Sequence, residues 1–267
     1  KNEFDIKKMY GKHYGYETSK SKLMVDHLQE KVSRFKKEGF FKKRDSIIDI
    51  GSNDGTFLNL IGDKNIRYGV DPSGKKFADN YHKITLIDKF FSRKIIKSKN
   101  TKFDLITSFA IFYDVEDPNQ FCSDIKKILK PNGVWICELS YLPLMLKNLT
   151  FDQICHEHVT YYSLCVFEKI INQNGLKLLD EKLNEINGGS IEIICGHKLS
   201  KRTVNKKFID FLKRDELKIN SRSFLNFSNR IKKIKKDLNN FFNSKKDILG
   251  YGASTKGNVV LNFCKIT

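Results

Sequence analysis

A doubly wound α/β domain is the fold class this sequence predicts, and three observations predict it. Between residues 46 and 139, short apolar runs alternate with helix-like segments, the pattern of a parallel sheet covered on both faces. The first run, Ser46-Ile47-Ile48-Asp49-Ile50, ends in a turn bounded by Gly51 and Gly55. Asp71 closes the second run 20 residues after Gly51, where such folds place an acid.

The elements follow in order. Residues 1–45 read as irregular and helical, with a polar-aromatic stretch at 14–19 and a helix over 22–37. Strands are predicted at 46–50, 66–70, 84–87, 103–108 and 134–139, and a helix at 117–129 that stops on Lys130-Pro131-Asn132-Gly133. A further helix near 167–174 precedes strands at 176–183 and 190–195. Residues 205–243 are charged and helical. Phe224, Phe227, Ile231, Ile234, Leu238 and Phe241 recur there at steps of three and four, one apolar stripe that packs on a neighbour. A second strand-to-glycine turn is predicted at 247–258, one helix before Thr267. A lone βα unit leaves a sheet edge uncovered, so a second α/β domain is expected to continue beyond this sequence. The expected organisation is a Rossmann-like domain over 1–200, then a helical linker and the start of that second domain over 201–267.

Composition narrows the function. No apolar run reaches the ~18 residues of a membrane helix, and the first residues lack a signal peptide's apolar core, so a cytoplasmic protein without membrane contact is expected. Six scattered cysteines form no CxxC pair, against a zinc ribbon or a disulfide framework. The net charge is +18, yet 41 of the 49 basic residues are lysine. Nucleic-acid readers lean on arginine, and Lys, Asn and Ile share A/T-rich codons, so no nucleic-acid partner is expected.

The turn "DIGSNDG" lacks the Gly-Lys-Ser/Thr ending of a phosphate loop and the GxGxxG of a dinucleotide fold. It fits the DxGxGxG loop of Rossmann-like S-adenosylmethionine (SAM) methyltransferases, with Asn53 at the middle glycine. Asparagine tolerates left-handed backbone better than other side chains. Asp49, Gly51, Ser52, Asn53 and Gly55 are thus candidate cofactor residues, and Asp71 can accept both ribose hydroxyls.

Residues 154–164 read "ICHEHVTYYSL". On a strand, His156 and His158 would share one face and Cys155 and Glu157 the other, so the four cannot reach one ion. HExxH is absent too, and no metal site is expected. Proton transfer fits better, because histidine changes charge near neutral pH and a carboxylate or tyrosine can tune it. Hydrogen-bonded polar residues at a strand edge are the open alternative.

These stretches together carry a resemblance. "FDQICHEHVTYYSL" is similar to the signature of the nucleotide-sugar C-methyltransferase family, which acts on 4-keto deoxysugars. "YGYETSKS", "DIGSNDGTFL", "GVDPSG", Phe90-Phe91, "LKPNGVWICELSYL", "INGGS" and "GYGASTKGN" follow that family's order along essentially the whole chain. The resemblance implies a SAM cofactor, with Pro72, Phe91 and Ser108 beside the loop residues, and a nucleotide-sugar substrate. It implies His158 as general base, with His156, Glu157 and Tyr162 beside it, and Tyr14, Tyr16, Cys155, Asn187, Gly188 and Lys256 toward the substrate. It also implies an N-terminal zinc module, absent from this sequence, and a C-terminal Rossmann-like domain, of which only the start is present. The sequence departs from the family where Cys155 replaces a tyrosine, Asn187 replaces a histidine, and Glu192 stands near a basic position. A non-catalytic SAM- or sugar-nucleotide-binding protein, or an O- or N-methyltransferase, remain alternatives.

Overall fold

In the computed structural model, which describes residues 6–11, 14–98, 100–245, 247–250 and 254–266, the seven strands expected between residues 46 and 195 join one sheet. They are β1 (Ser46–Ile50), β2 (Ile66–Val70), β3 (Ile84–Ile87), β4 (Phe103–Phe109), β5 (Leu129–Ser140), β6 (Leu176–Asn184) and β7 (Ser190–His197), in the order β3-β2-β1-β4-β5-β7-β6. The helices are α1 (Ile6–Met9), α2 (Lys22–Lys37), α3 (Thr56–Ile61), α4 (Pro118–Ile128), α5 (Leu142–Asn148), α6 (Leu164–Gln173), α7 (Lys206–Glu216), α8 (Ser221–Asn243) and α9 (Thr255–Cys264).

Helices α2, α4, α6, α8 and α9 begin where the sequence supplies a side-chain cap. Ser21 accepts the Met24 N–H at the start of α2, and Asp117 accepts the Gln120 N–H before Pro118 at the start of α4. The strands are buried on both faces with alternating allegiance. Ile48, Ile50, Ile106, Trp135 and Cys137 pack into one core, with Phe121 and Ile125 of α4 and Phe167 of α6. Ile47, Leu105, Val134 and Ile136 pack into the opposite core, with Leu28 and Phe35 of α2 and Phe57 of α3.

Four expectations are corrected. The sheet is not wholly parallel, because β7 runs antiparallel to β5 and β6. Only five residues join β6 to β7, enough for a hairpin and too few for a parallel crossover. The Lys130–Gly133 stretch is a bulge inside β5, where the register jumps from Phe103↔Leu129 to Leu105↔Val134. A Cβ on Gly133 would sit 2.9 Å from the Phe103 and Asp104 carbonyl oxygens, so glycine is required there. Residues 154–161 form no strand, and residues 247–250 are not one either. The latter join none of the seven strands, and Leu249 is fully exposed. Residues 251–253 of that glycine turn lie outside the described residues. The α8 stripe packs at its centre, where Phe227, Ile231 and Ile234 meet Met145, Phe151, Val260 and Phe263, while Phe224 and Phe241 are exposed. Among the described residues no helix is long and apolar enough to cross a membrane.

An ionic cluster ties α2 to the sheet. Glu138 of β5 and Glu192 of β7 are direct cross-strand partners, both buried. Like charges so placed repel, and Lys31 sits between them, with its Nζ 2.8 Å from Glu138 Oε2 and paired to Glu192. Arg34 also pairs with Glu192, and His27 Nε2 lies 3.0 Å from Glu138 Oε1. Lys31→Ala leaves two buried carboxylates facing each other. It is expected to lower the unfolding free energy by about 3–5 kcal/mol in urea denaturation. Lys22→Ala, which breaks only an exposed pair with Asp26, should leave the midpoint unchanged.

Candidate active site

A cavity of about 510 Å³ opens at the carboxyl ends of β1, β2, β4 and β5, where the strand order reverses between β1 and β4. Its floor is the turn after β1. Gly51, Asn53 and Gly55 have φ of 79°, 48° and 79°, so three left-handed residues curl the backbone around the cavity mouth. A Cβ on Gly51 would lie 2.6 Å from Ile111 Cγ2. Asp71 at the end of β2 braces this turn: its Oδ2 accepts the Asn53 N–H at 2.8 Å, and its Oδ1 accepts Ser73 N–H and Oγ–H. Ser52 Oγ and Tyr81 Oη share a hydrogen bond of 2.9 Å, and Tyr81 donates to the Asn53 carbonyl. Asp49 lies below the turn and accepts from Thr107 Oγ1 at 2.6 Å, and burial pushes its carboxyl up to about 7.

Most of the loop residues expected from sequence reach the cavity. Asp49, Gly51, Ser52, Asn53, Asp71, Pro72 and Phe91 line it. Gly55 does not; it caps α3 and its missing Cβ makes room for the Tyr81 ring. Ser108 is not brought there either, being fully buried and accepting the Trp135 indole N–H at 2.9 Å.

The segment 153–161 crosses the opposite wall, and a single carbonyl organises it. Gln153 O receives His158 Nδ1 at 2.7 Å, Tyr161 Oη at 3.2 Å and Cys155 Sγ at 3.5 Å. A carbonyl only accepts, so His158 carries its proton on Nδ1 and keeps the Nε2 lone pair. Burial lowers the His158 pKa below its ordinary value, against the opposing pull of the Gln153 carbonyl and of Glu157. The backbone N–H groups of Val159 and Thr160 bond the Tyr113 carbonyl, and the Tyr113 ring lies 4.3 Å from that of His158. His158 and Glu157 therefore face the cavity, while His156 is exposed. Tyr162 is buried against Phe112 and Phe167, away from the cavity. Cys155 stays behind His158, its thiol raised to about 12 by burial and Glu157.

Tyr14, Tyr16 and Asn187 complete the lining. Lys256 of α9 does not line the cavity but donates to Asn187 Oδ1 at 2.9 Å. Gly188 packs against Thr150 outside it. Glu192, paired to α2, is likewise not among the lining residues. Among the lining residues missed in the sequence are Tyr10, Asp114 and Glu138. Tyr10 Oη donates to Asp114 Oδ2 at 2.8 Å, and burial lifts Asp114 to about 8. Glu138 is the reverse case, since Lys31 and His27 outweigh its burial and hold it at about 2. No local pattern marks these three; only the crossing of distant elements does. Among the described residues no group of three or more His, Cys, Asp or Glu is placed to hold a metal ion.

The profile of the methyltransferase domain matches residues 24–181, more than half of the chain. The chain belongs to the methyltransferase family. Residues 185–267 of this methyltransferase match the profile of the C-methyltransferase C-terminal domain. It is similar to the C-methyltransferase NovU of Streptomyces niveus, 25% identical over 264 residues, covering 94% of this chain and 63% of that relative. The chain thus spans less than two thirds of that relative's length. Among solved structures it resembles a protein from Pyrococcus horikoshii, with a TM-score of 0.53 and 16% identity over 71% of this chain and 95% of that one. It also resembles plantazolicin methyltransferase BpumL, solved with a pentazolic substrate analogue and SAH, with a TM-score of 0.52 and 13% identity over 67% and 86%. At such identities the likeness is one of fold.

SAM is the cofactor of the methyltransferase domain. The cavity suits it: three left-handed residues curl the turn at 51–55 along its floor, and the carboxyl groups of Asp49, Asp71, Asp114 and Glu138 line the space above.

Asp114 holds its proton more tightly folded than unfolded, with a pKa raised from 3.8 to about 8. Its contribution to stability is therefore full below the unfolded value and lost as pH rises through the folded one. Asp114→Asn removes that dependence. The stability of the variant relative to wild type should increase between about pH 5 and 9 in urea titrations, without ligand.

Proposed function

We propose that this methyltransferase alkylates carbon, on an acceptor that is a nucleotide-linked deoxy-ketosugar. One observation carries the reading: a half-buried histidine on the cavity wall whose Nδ1–H is held by a carbonyl, leaving Nε2 basic. Oxygen and nitrogen acceptors already own a lone pair, whereas carbon must first lose a proton. The similarity to NovU supports carbon as the acceptor atom.

When bound, SAM supplies an electrophilic methyl group. Gly51, Ser52 and Asn53 would hold its amino-acid part by backbone contact, Asp71 would accept its ribose hydroxyls, and Pro72 and Phe91 would cover the base. His158 takes the proton from the carbon beside the acceptor's carbonyl at Nε2. The electron pair left behind would delocalise onto the carbonyl oxygen as an enolate, whose carbon would take the methyl as the methyl–sulfur bond breaks and its electron pair returns to sulfur. Glu157 favours the imidazolium so formed. Tyr14, Tyr16 and Asn187 form the acceptor side of the cavity, with Lys256 steadying Asn187.

His158→Asn keeps the hydrogen bond to Gln153 but cannot take a proton. It should retain SAM affinity and lose about 10²–10⁴ in turnover. Exchange of the acceptor's α-hydrogen with deuterated water should fall in parallel, because it reports deprotonation alone. Near-normal exchange in the variant would move the base elsewhere. Labelled SAM and a panel of nucleotide 4-ketosugars test the substrate; neither exchange nor transfer with wild type on any of them would favour a binding protein.

The pH profile is a separate check. His158 must be neutral to act, and its pKa lies below the ordinary 6.5. The kcat/KM profile should rise through a limb below that value, then level off, and the limb should vanish in His158→Asn. A limb well above 6.5 would point to a different base.

A further inference from the structure

The middle position of the turn after β1 is Asn53, with φ of 48°. Glycine would meet that backbone requirement without strain, so the side chain needs its own explanation. Its polar atoms all turn to the N-terminal segment. Oδ1 accepts the Thr18 N–H at 2.9 Å and the Thr18 hydroxyl at 3.0 Å, and Nδ2 donates to the Tyr16 carbonyl at 3.0 Å. The next residue repeats the pattern: Asp54 Oδ2 accepts the Ser19 N–H at 2.8 Å, while its Oδ1 caps α3 through Thr56. Asn53, Asp54 and Thr18 are all buried, so the two Thr18 bonds are shielded from water, while those to Tyr16 and Ser19 are partly covered.

The segment held in this way carries Tyr14 and Tyr16, which line the cavity with ring centroids 6.4 Å apart. Tyr14 in turn packs on Tyr10 at 4.9 Å, and Tyr10 reaches across to Asp114. Lys76 also reaches the segment from the β2 side, with its exposed Nζ 3.4 Å from the Tyr14 carbonyl oxygen and 3.9 Å from Glu17 Oε1. The buried connection between segment and sheet therefore passes through the amide of Asn53, with the partly covered carboxylate of Asp54 beside it. Meanwhile the Asn53 backbone N–H is bound by Asp71. One residue thus touches the proposed ribose acceptor with its backbone and the aromatic wall with its side chain.

We infer that Asn53 is a positioning residue, whose side-chain amide couples the cofactor turn to residues 14–19 and so sets the acceptor side of the cavity. The inference rests on the proposal that SAM sits on this turn. Order in the turn then becomes order in Tyr14 and Tyr16. A cofactor that fixes residues 51–55 also fixes the wall against which the acceptor lies.

The test is Asn53→Gly, which keeps the left-handed backbone and the N–H to Asp71 and removes only the amide. Three readouts separate coupling from simple damage. SAM affinity by calorimetry should change less than about threefold, while acceptor KM rises tenfold or more. Trypsin cleavage after Lys20, whose side chain is largely exposed, should be faster in the variant without any ligand. In wild type SAM should slow that cleavage, and in Asn53→Gly it should not. Thr18→Ala, which removes one of the three bonds from the other side, should shift all readouts the same way by less. Asn53→Asp, which keeps an acceptor for both Thr18 donors, should recover part of the acceptor KM.

Unchanged acceptor KM together with intact SAM protection in Asn53→Gly would overturn the inference. So would a collapse of SAM affinity in a folded variant, which would make Asn53 a cofactor ligand alone. The protease readout needs no acceptor, so it stands even if the ketosugar reading fails. Wild type that binds no SAM would instead undo the reading beneath it.

Discussion

Everything in this molecule is arranged around the reversal of strand order between β1 and β4. The chain leaves β1 toward one face of the sheet and leaves β4 toward the other, so no loop crosses the gap between them. That gap is the cavity. The turn after β1, Asp71 at the end of β2 and Asp114 beyond β4 meet there although they are far apart in the chain. A tight left-handed turn is the only way the backbone can leave β1 without filling the gap itself.

The cavity is acidic, and its carboxylates divide by what lies behind them. Asp49 and Asp114 sit against apolar walls with few donors, so burial favours the protonated acid. Glu138 sits equally deep, yet Lys31, His27 and Asn184 reach it from α2 and β6, and it stays ionised. The same residue type thus supplies two kinds of group, one ready to exchange a proton and one fixed as structural charge. Burial alone would have treated them alike; the lysine on the third turn of α2 makes the difference.

A similar economy governs the wall at 153–161. The peptide carbonyl of Gln153 collects a histidine, a tyrosine and a cysteine, and the Gln153 side chain itself bonds the Asn187 carbonyl. Irregular backbone lets side chains from successive positions converge on one atom, which a strand, with its alternating faces, forbids. A strand through His156 and His158 would have put both imidazoles on one face. The actual path exposes His156 and turns His158 to the cavity.

Local sequence determined the elements whose signals are local. The apolar runs of β1 to β7 and the stripe of α8 were legible because burial period acts within a few residues. The turn at 51–55 was legible for the same reason, since positive φ restricts which residues can stand there. What tertiary structure decided were matters of direction and company. The reversed sense of β7 follows from a hairpin too short to cross over, and residues 247–250 join neither edge of the sheet. Tyr162 and Ser108 carry polar groups that suit a site, yet packing assigns them to the core with Phe112 and Trp135. Tyr10, Asp114 and Glu138 face the cavity because elements roughly a hundred residues apart in the chain cross at the carboxyl ends of the strands. A side chain's neighbours along the chain set its conformation, but only the neighbours that folding brings across the sheet set its charge, its burial and its partners.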